Sequence, residues 1–104
     1  MIRVEVKTRD DKIEFMEITG HADFGDHSHD IVCSAMSSIG TGLLNAIDIM
    51  CPEDCKLILE NNLIQIEVIH DSDKLQNILY TGLYQFKTVE EKFDLYVEVI
   101  ITEV

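Results

Sequence analysis

The spacing of apolar residues changes near Asp30, and this change restricts the folds that the chain can adopt. At the start of the chain, apolar residues such as Ile2 and Val4 alternate with charged ones, which is typical of strands with one buried face. After Asp30, apolar residues recur at the spacing of one helix face. This stripe consists of Val32, Ala35, Met36, Ile39, Leu43, Ala46, Ile47 and Met50. The pattern predicts strands followed by a long amphipathic helix that ends near Met50, ahead of Pro52.

Further strands are predicted by the same alternation. Ile13 and Phe15 alternate, and a shift of phase over residues 16–18 indicates a β-bulge. Residues 57–59 and 63–68 are apolar segments separated by Glu-Asn-Asn, which predicts a second hairpin.

The last third of the chain predicts one more helix and one more strand. Ser72 is a good N-cap for a helix whose apolar face comprises Leu75, Ile78, Leu79, Gly82 and Phe86. Alternating apolar residues from Phe93 to Ile101 predict the final strand. The expected order is β-β-α-β-β-α-β, an α+β fold in which two helices pack on a mostly antiparallel sheet. We expect residues 1–104 to form a single domain.

The charge balance restricts the partners of the chain. Its 8 basic and 20 acidic residues give a formal charge of −12, which argues against direct nucleic-acid binding and favours a basic partner. No uninterrupted apolar stretch is long enough for a signal peptide or a membrane span, so we expect no membrane association. Three cysteines without a secretory signal indicate a reducing, cytoplasmic setting without a disulfide framework.

The chemistry of the chain is concentrated around His21 and Cys33. They flank a polar loop over residues 21–30 that is long for a domain of this size, and they could act as a base and a thiol nucleophile. If Asp30 caps the helix, Cys33 is the third helical residue, where unpaired N–H groups favour a thiolate and could stabilise an oxyanion. Both residues also have a purely structural interpretation, with His21 on the surface and Cys33 as a small buried side chain.

Small residues follow Cys33 along the same side of the predicted helix. Ser37, Gly40 and Thr41 lie within about 80° of Cys33 at the helical step of about 100° per residue. We therefore expect a groove beside the thiol that a peptide backbone can enter.

Two other kinds of site are compatible with the same sequence. A zinc or nickel site could form from loop residues and the thiol, namely His21, Asp23, Asp26, His27, His29 and Cys33. The spacings match no closed structural zinc pattern, so no metal is expected. Cys51 and Cys55 could form a redox pair, but their acidic neighbours raise thiol pKa values, which favours packing at the helix end.

Two motifs give the chain a family resemblance. Gly20-His21-Ala22 and residues 30–33 (Asp-Ile-Val-Cys), with Ala35, Ser37 and the Leu-Asn-Ala of residues 44–46, resemble the ribosomal-processing cysteine protease (Prp) family. The resemblance implies an endopeptidase with His21 as base and Cys33 as nucleophile. It also implies supporting positions at Asp30 and Ser37, where Asp30 caps the helix or orients His21.

The resemblance further implies a substrate and an assembly state. The substrate is the precursor of protein twenty-seven of the large ribosomal subunit, whose N-terminal extension is cleaved after a phenylalanine. Family members are dimeric, and no cofactor is implied. The alternative is a non-catalytic binding protein of the same fold on the ribosome-assembly pathway.

Overall fold

In a computed structural model of the chain, the segments of alternating apolar residues form strands, and the segments with helical spacing form helices, as predicted. The structure describes the backbone of residues 1–20 and 27–104, and the side chains of residues 1–20 and 31–104. Within these ranges the elements are β1 (Ile2–Arg9), β2 (Lys12–Thr19), α1 (His27–Met50), β3 (Cys55–Glu60), β4 (Leu63–Val68), α2 (Asp73–Lys92) and β5 (Val97–Glu103). The predicted α+β class and element order are confirmed.

The strands form one mixed sheet in the order β3-β4-β2-β1-β5. β1 pairs in parallel with β5, whereas the β1–β2, β2–β4 and β3–β4 pairings are antiparallel, as predicted for a mostly antiparallel sheet. Leu63, at the start of β4, pairs with Glu60 at the end of β3 and with Thr19 at the end of β2. Two segments that are distant in sequence, the end of β2 and the β3–β4 turn, therefore meet at one end of the sheet.

Both helices pack on one face of this sheet, where they bury a continuous apolar core. The buried sheet residues include Val4, Val6, Ile13, Met16, Ile18, Ile64 and Ile66, and the buried helix residues include Val32, Met36, Leu43, Ile47, Leu79 and Phe86. The predicted stripe of α1 is largely confirmed. Met50 is the exception, with an exposed fraction of 50%, because it lies on the outer groove between α1 and α2.

A β-bulge is present in β2, but at a different residue from the one predicted. Thr8 pairs with Ile13 and Lys7 pairs with Phe15, so Glu14 is the extra residue. The buried face of β2 consequently contains Ile13, Met16 and Ile18. Phe15 is only partly buried, and the Lys7 Nζ atom lies 5.0 Å from the centroid of its ring. The alternation of Ile13 with Phe15 was misleading because the bulge already separates them.

α1 begins four residues before the predicted first helical residue, Ile31. Its first residue is His27, so Asp30 lies within the first turn and the prediction that Asp30 is the N-cap is wrong. Cys33 is the seventh helical residue, beyond the first turn whose N–H groups lack helical partners. The expectation that Cys33 lies among unpaired N–H groups able to stabilise an oxyanion is therefore wrong as well, because N–H groups at the seventh position of an α-helix are bonded within the helix.

The N-cap of α2 is confirmed, whereas the strand after α2 begins later than predicted. The Ser72 side chain accepts a hydrogen bond from the Leu75 N–H group at 3.1 Å. α2 continues to Lys92, and the Phe93 N–H group still bonds the Val89 carbonyl, so Phe93 belongs to the helix end. β5 therefore starts at Val97.

α1 is long and apolar enough to cross a membrane when judged by length and composition alone. This finding differs from the sequence-based expectation that no segment has this property. The core helix of a globular domain meets the same criterion, and α1 packs Val32, Met36 and Ile47 against the sheet.

Candidate active site

Cys33 lines a small cleft at the end of the sheet where β2, β3 and β4 meet. The cleft has a volume of about 160 Å³, which is smaller than most small-molecule sites and suits one side chain or a short stretch of backbone. Its lining consists of Ile2, Ile18, Gly20, Cys33, Met36, Ser37, Thr41, Leu59, Glu60, Asn62, Leu63 and Ile64. A larger groove of about 760 Å³ separates α1 from α2, but no described cysteine lines it.

The helix contributes Cys33, Ser37 and Thr41 at four-residue intervals, which places them on one side of α1. Cys33 is partly buried and packs against the core, whereas Ser37 and Thr41 are exposed. The Thr41 hydroxyl donates a hydrogen bond to the Ser37 carbonyl at 2.7 Å. The predicted groove of small polar residues beside the thiol is therefore confirmed for these two positions.

Gly40 has a different role from the one predicted. It is buried, and a Cβ atom at this position would lie 2.6 Å from the Cδ1 atom of Ile64. The absence of a side chain allows α1 to approach β4 closely, and this contact sets the distance between the Cys33 helix and the sheet. Gly40 thus affects the cleft through the close packing of α1 on β4 and does not line it.

Gly20 fixes the direction in which the chain leaves β2. Its φ angle is +88°, and a Cβ atom there would overlap the carbonyl oxygen of Met1, so only glycine fits without strain. His21 follows directly but lies outside the described residues, as do Asp23 and Asp26. Gly20, the last described residue before His21, lines the same cleft as Cys33.

Of the two supporting positions, only Ser37 has a described side chain. Ser37 lines the cleft one turn after Cys33. Asp30 is placed in the first turn of α1 by its backbone, and its side chain lies outside the described part of the structure.

The β3–β4 hairpin forms a wall of the cleft that sequence reasoning missed. Leu59, Glu60, Asn62 and Leu63 all contribute to it, although they are about 30 residues away from Cys33 in sequence. Strand order, which brings β4 beside β2, creates this contact. The sequence feature that pointed to this region was the Glu-Asn-Asn turn. It predicts a hairpin but does not indicate which strand lies beside that hairpin in the sheet.

The other two cysteines are placed where a thiol is poorly suited to attack a substrate. Cys51 is buried, with an exposed fraction of 4%. Burial, together with the smaller effects of the charges of Asp54, Cys51 and Asp71, raises the pKa of Cys55 to about 11. The predicted effect of acidic neighbours is confirmed, and both cysteines pack against or within the core at the end of α1.

The metal hypothesis falls largely outside the described residues. His21, Asp23 and Asp26 are not described, and neither are the side chains of His27 and His29. Among the side chains that the structure does describe, no group of three His, Cys, Asp or Glu residues is arranged to hold a metal ion.

Residues 1–98 match the family model for cysteine protease Prp. The chain belongs to the Prp family of cysteine proteases. A ribosomal processing cysteine protease Prp of Staphylococcus aureus is 32% identical over 98 residues, covering 90% of this chain and 92% of the relative. The Bacillus subtilis Prp is 35% identical over 51 residues, covering 48% of this chain and 46% of the relative.

Solved structures, two of them of a Prp, share the fold almost completely. The Staphylococcus aureus Prp in complex with a substrate peptide superposes with a TM-score of 0.89 at 28% identity, covering 98% of this chain and 100% of the other. The same enzyme with a covalently linked product peptide gives a TM-score of 0.88 at 29% identity over the same coverage. A Streptococcus mutans protein gives 0.84 at 26% identity and covers all of this chain.

These findings confirm the resemblance read from the Gly-His-Ala and Asp-Ile-Val-Cys motifs. This Prp chain is a cysteine protease. Family membership favours the enzyme over the alternative of a non-catalytic binding protein with the same fold.

Proposed function

We propose that this Prp is the endopeptidase that removes the N-terminal extension from the precursor of protein twenty-seven of the large ribosomal subunit, cleaving after an aromatic residue. Cys33 is the nucleophile in this proposal, and His21 is the base. The observation that carries the proposal is the position of Cys33 on a cleft whose wall also contains Gly20, the residue before His21. The name shared by the relatives, ribosomal processing cysteine protease, supports the class of substrate.

The assignment of Cys33 is supported by comparison with the other thiols. A cysteine protease needs a thiol that is accessible and that ionises near neutral pH. Cys51 is buried, and a Cys55 pKa of about 11 leaves very little thiolate at pH 7. Cys33 alone among the three lies on the cleft.

The proposed reaction follows the usual course of thiol proteases. The His21 imidazole accepts the Cys33 proton, and the thiolate attacks the scissile carbonyl to form a tetrahedral intermediate. The intermediate collapses to a thioester as the imidazolium protonates the departing amine. Water, deprotonated by His21, then hydrolyses the thioester and restores the thiol. The covalently linked product peptide in the Staphylococcus aureus Prp is in keeping with such an intermediate.

The lining of the cleft supports an apolar residue beside the scissile bond. Ile2, Ile18, Met36 and Ile64 line the cleft where it borders the core, and the exposed Leu59 side chain adds apolar surface at its wall. Transfer of an aromatic side chain onto such a surface is favourable. Ser37 lines the peptide groove in this proposal, and Asp30 supports the dyad from the first turn of α1.

Two further properties belong to the same proposal. We infer a cytoplasmic enzyme, because precursors of ribosomal proteins are made there and the cysteines suit a reducing compartment. We also infer a homodimer by analogy with the family.

The direct test uses the precursor from the same organism as substrate. Incubation with the purified chain should convert the precursor to one shorter product, and intact-mass analysis should place the cut after an aromatic residue. Replacement of that residue by alanine should lower kcat/KM by at least ten-fold. An intact precursor after prolonged incubation, with cleavage of unrelated unfolded proteins, would contradict the proposed substrate.

A further inference from the structure

Glu60 gives the Cys33 cleft a negative charge. It is the last residue of β3, pairs in register with Leu63, and is exposed. The other described residues that line the cleft are neutral apart from the ionisable Cys33 thiol. The electrostatic character of this wall is therefore set by one carboxylate.

The Glu60 carboxylate has no described partner, in contrast to several other acidic side chains. Glu17 accepts a hydrogen bond from Gln65 at 2.8 Å, and Glu103 accepts one from Thr8 at 2.6 Å. Glu90 accepts one from the Val99 N–H group at 2.6 Å. Within residues 1–20 and 31–104, no side chain forms an ion pair or hydrogen bond with Glu60. Within the described part of the structure, its charge is therefore not balanced by a cationic side chain.

Building on the proposed function, we propose that Glu60 is a specificity-determining residue that selects substrates with a lysine or arginine close to the scissile bond. A peptide that reaches Cys33 enters a cleft of only about 160 Å³, so side chains that flank the scissile bond lie close to the hairpin wall that contains Glu60. A cationic side chain there gains an ion pair, whereas an acidic one meets like-charge repulsion. The net charge of −12 also attracts a basic peptide at longer range.

The expected size of the preference follows from the exposure of Glu60. Ion pairs at exposed positions are weak because water and salt screen them, and one such pair corresponds to a preference of about two- to five-fold. We expect the preference in kcat/KM, mainly through KM, because the pair forms away from the reacting atoms.

The test compares peptides that differ only in charge. Lysine, glutamine or glutamate is placed in turn at each position flanking the scissile bond of the precursor peptide, and kcat/KM is measured for the native chain, Glu60→Gln, Glu60→Lys and the control Glu91→Gln. Glu91 is an exposed acidic residue of α2 that does not line the cleft. At one or more positions the native chain and Glu91→Gln should prefer lysine, Glu60→Gln should lose the preference, and Glu60→Lys should prefer glutamate. An unchanged lysine preference in Glu60→Gln would overturn the proposal.

A second measurement does not depend on proteolysis. Methanethiosulfonate reagents carrying a trimethylammonium or a sulfonate group modify Cys33, and peptide mapping by mass spectrometry follows each rate. The ratio of cationic to anionic rates should fall about two- to five-fold in Glu60→Gln and stay unchanged in Glu91→Gln. If the native chain cleaves none of the peptides, the proposed substrate is wrong, and this ratio decides the role of Glu60. An equal ratio in the native chain and Glu60→Gln would overturn it.

Discussion

Residue 33 differs from the other two cysteine positions in what its side chain contacts. Cys33 is only partly buried at the edge of the core, so its replacement by serine removes the proposed nucleophile while changing little buried volume. We expect Cys33→Ser to lower kcat/KM by several orders of magnitude and to shift Tm by no more than a few degrees. Peptide cleavage and thermal unfolding measure the two effects.

Cys51→Ser is the matched control for that substitution. Cys51 is 4% exposed, so its replacement places a hydroxyl in the core and should cost about 1–3 kcal/mol of stability while leaving kcat/KM near the native value. Near-native turnover by Cys33→Ser would contradict the assignment of the nucleophile.

Cys55 should make stability depend on alkaline pH. Burial, followed by the charges of Asp54, Cys51 and Asp71, raises the pKa of Cys55 from 9.0 to about 11 in the folded chain. Below pH 9 both the folded and unfolded chains hold the proton, and the contribution to stability is complete. Between pH 9 and 11 the unfolded chain loses it first, so the free energy of unfolding falls as pH rises.

Denaturant unfolding at a series of pH values from 8 to 11 checks this expectation. Cys55→Ser should lose less stability than the native chain over that range, because its hydroxyl does not ionise there. Tyrosines and lysines titrate equally in both proteins, so the difference between the two curves isolates Cys55. Parallel curves would show that the Cys55 pKa is near its ordinary value.

At the level of elements, α2 is joined to the first hairpin by a buried side chain that the apolar pattern does not reveal. Gln76 is 9% exposed. Its Oε1 atom accepts from the Ile13 N–H group at 2.8 Å, and its Nε2 atom donates to the Ile13 carbonyl at 2.9 Å. The side chain thereby satisfies both backbone groups of Ile13, next to the bulge at Glu14.

Gln76→Leu should therefore destabilise the domain by about 2–3 kcal/mol, because it leaves two buried polar groups without partners. Gln85→Leu, an exposed position in the same helix, should change stability by no more than about 0.5 kcal/mol. Urea unfolding of both variants gives the comparison. A Gln76→Leu protein as stable as the native chain would show that water replaces the amide.

Local sequence signals predicted these elements well but were less reliable at their boundaries. The alternation of Ile2, Val4 and Val6 and the Ser72 cap act over a few residues, and both were confirmed. α1 nevertheless begins at His27 rather than directly after Asp30, because helix propagation can continue through polar residues that an apolar stripe does not mark. The position of Glu60 on the cleft was not predictable, because strand order depends on packing between distant segments.

On the scale of the whole molecule, the net charge and the fold affect a substrate peptide over different distances. The fold brings Cys33, Gly20 and the β3–β4 hairpin to one end of the sheet, which determines what fits. The charge of −12 acts over the distance set by salt and determines which peptides approach. The family could be identified from short motifs on either side of the loop, whereas the long-range field depends on the full composition.

Salt should therefore weaken cleavage of a basic substrate. Raising the ionic strength from about 0.1 M to about 1 M shortens the Debye length from about 10 Å to about 3 Å, which removes most of the attraction between an acidic enzyme and a basic peptide. We expect kcat/KM for the precursor peptide to fall several-fold while kcat changes little, since the field acts on encounter rather than on the chemical step. An analogue with each lysine and arginine replaced by glutamine should lose this dependence. The same decline for both peptides would instead indicate that salt acts on the enzyme itself, and the acidic surface would then have no part in selecting the substrate.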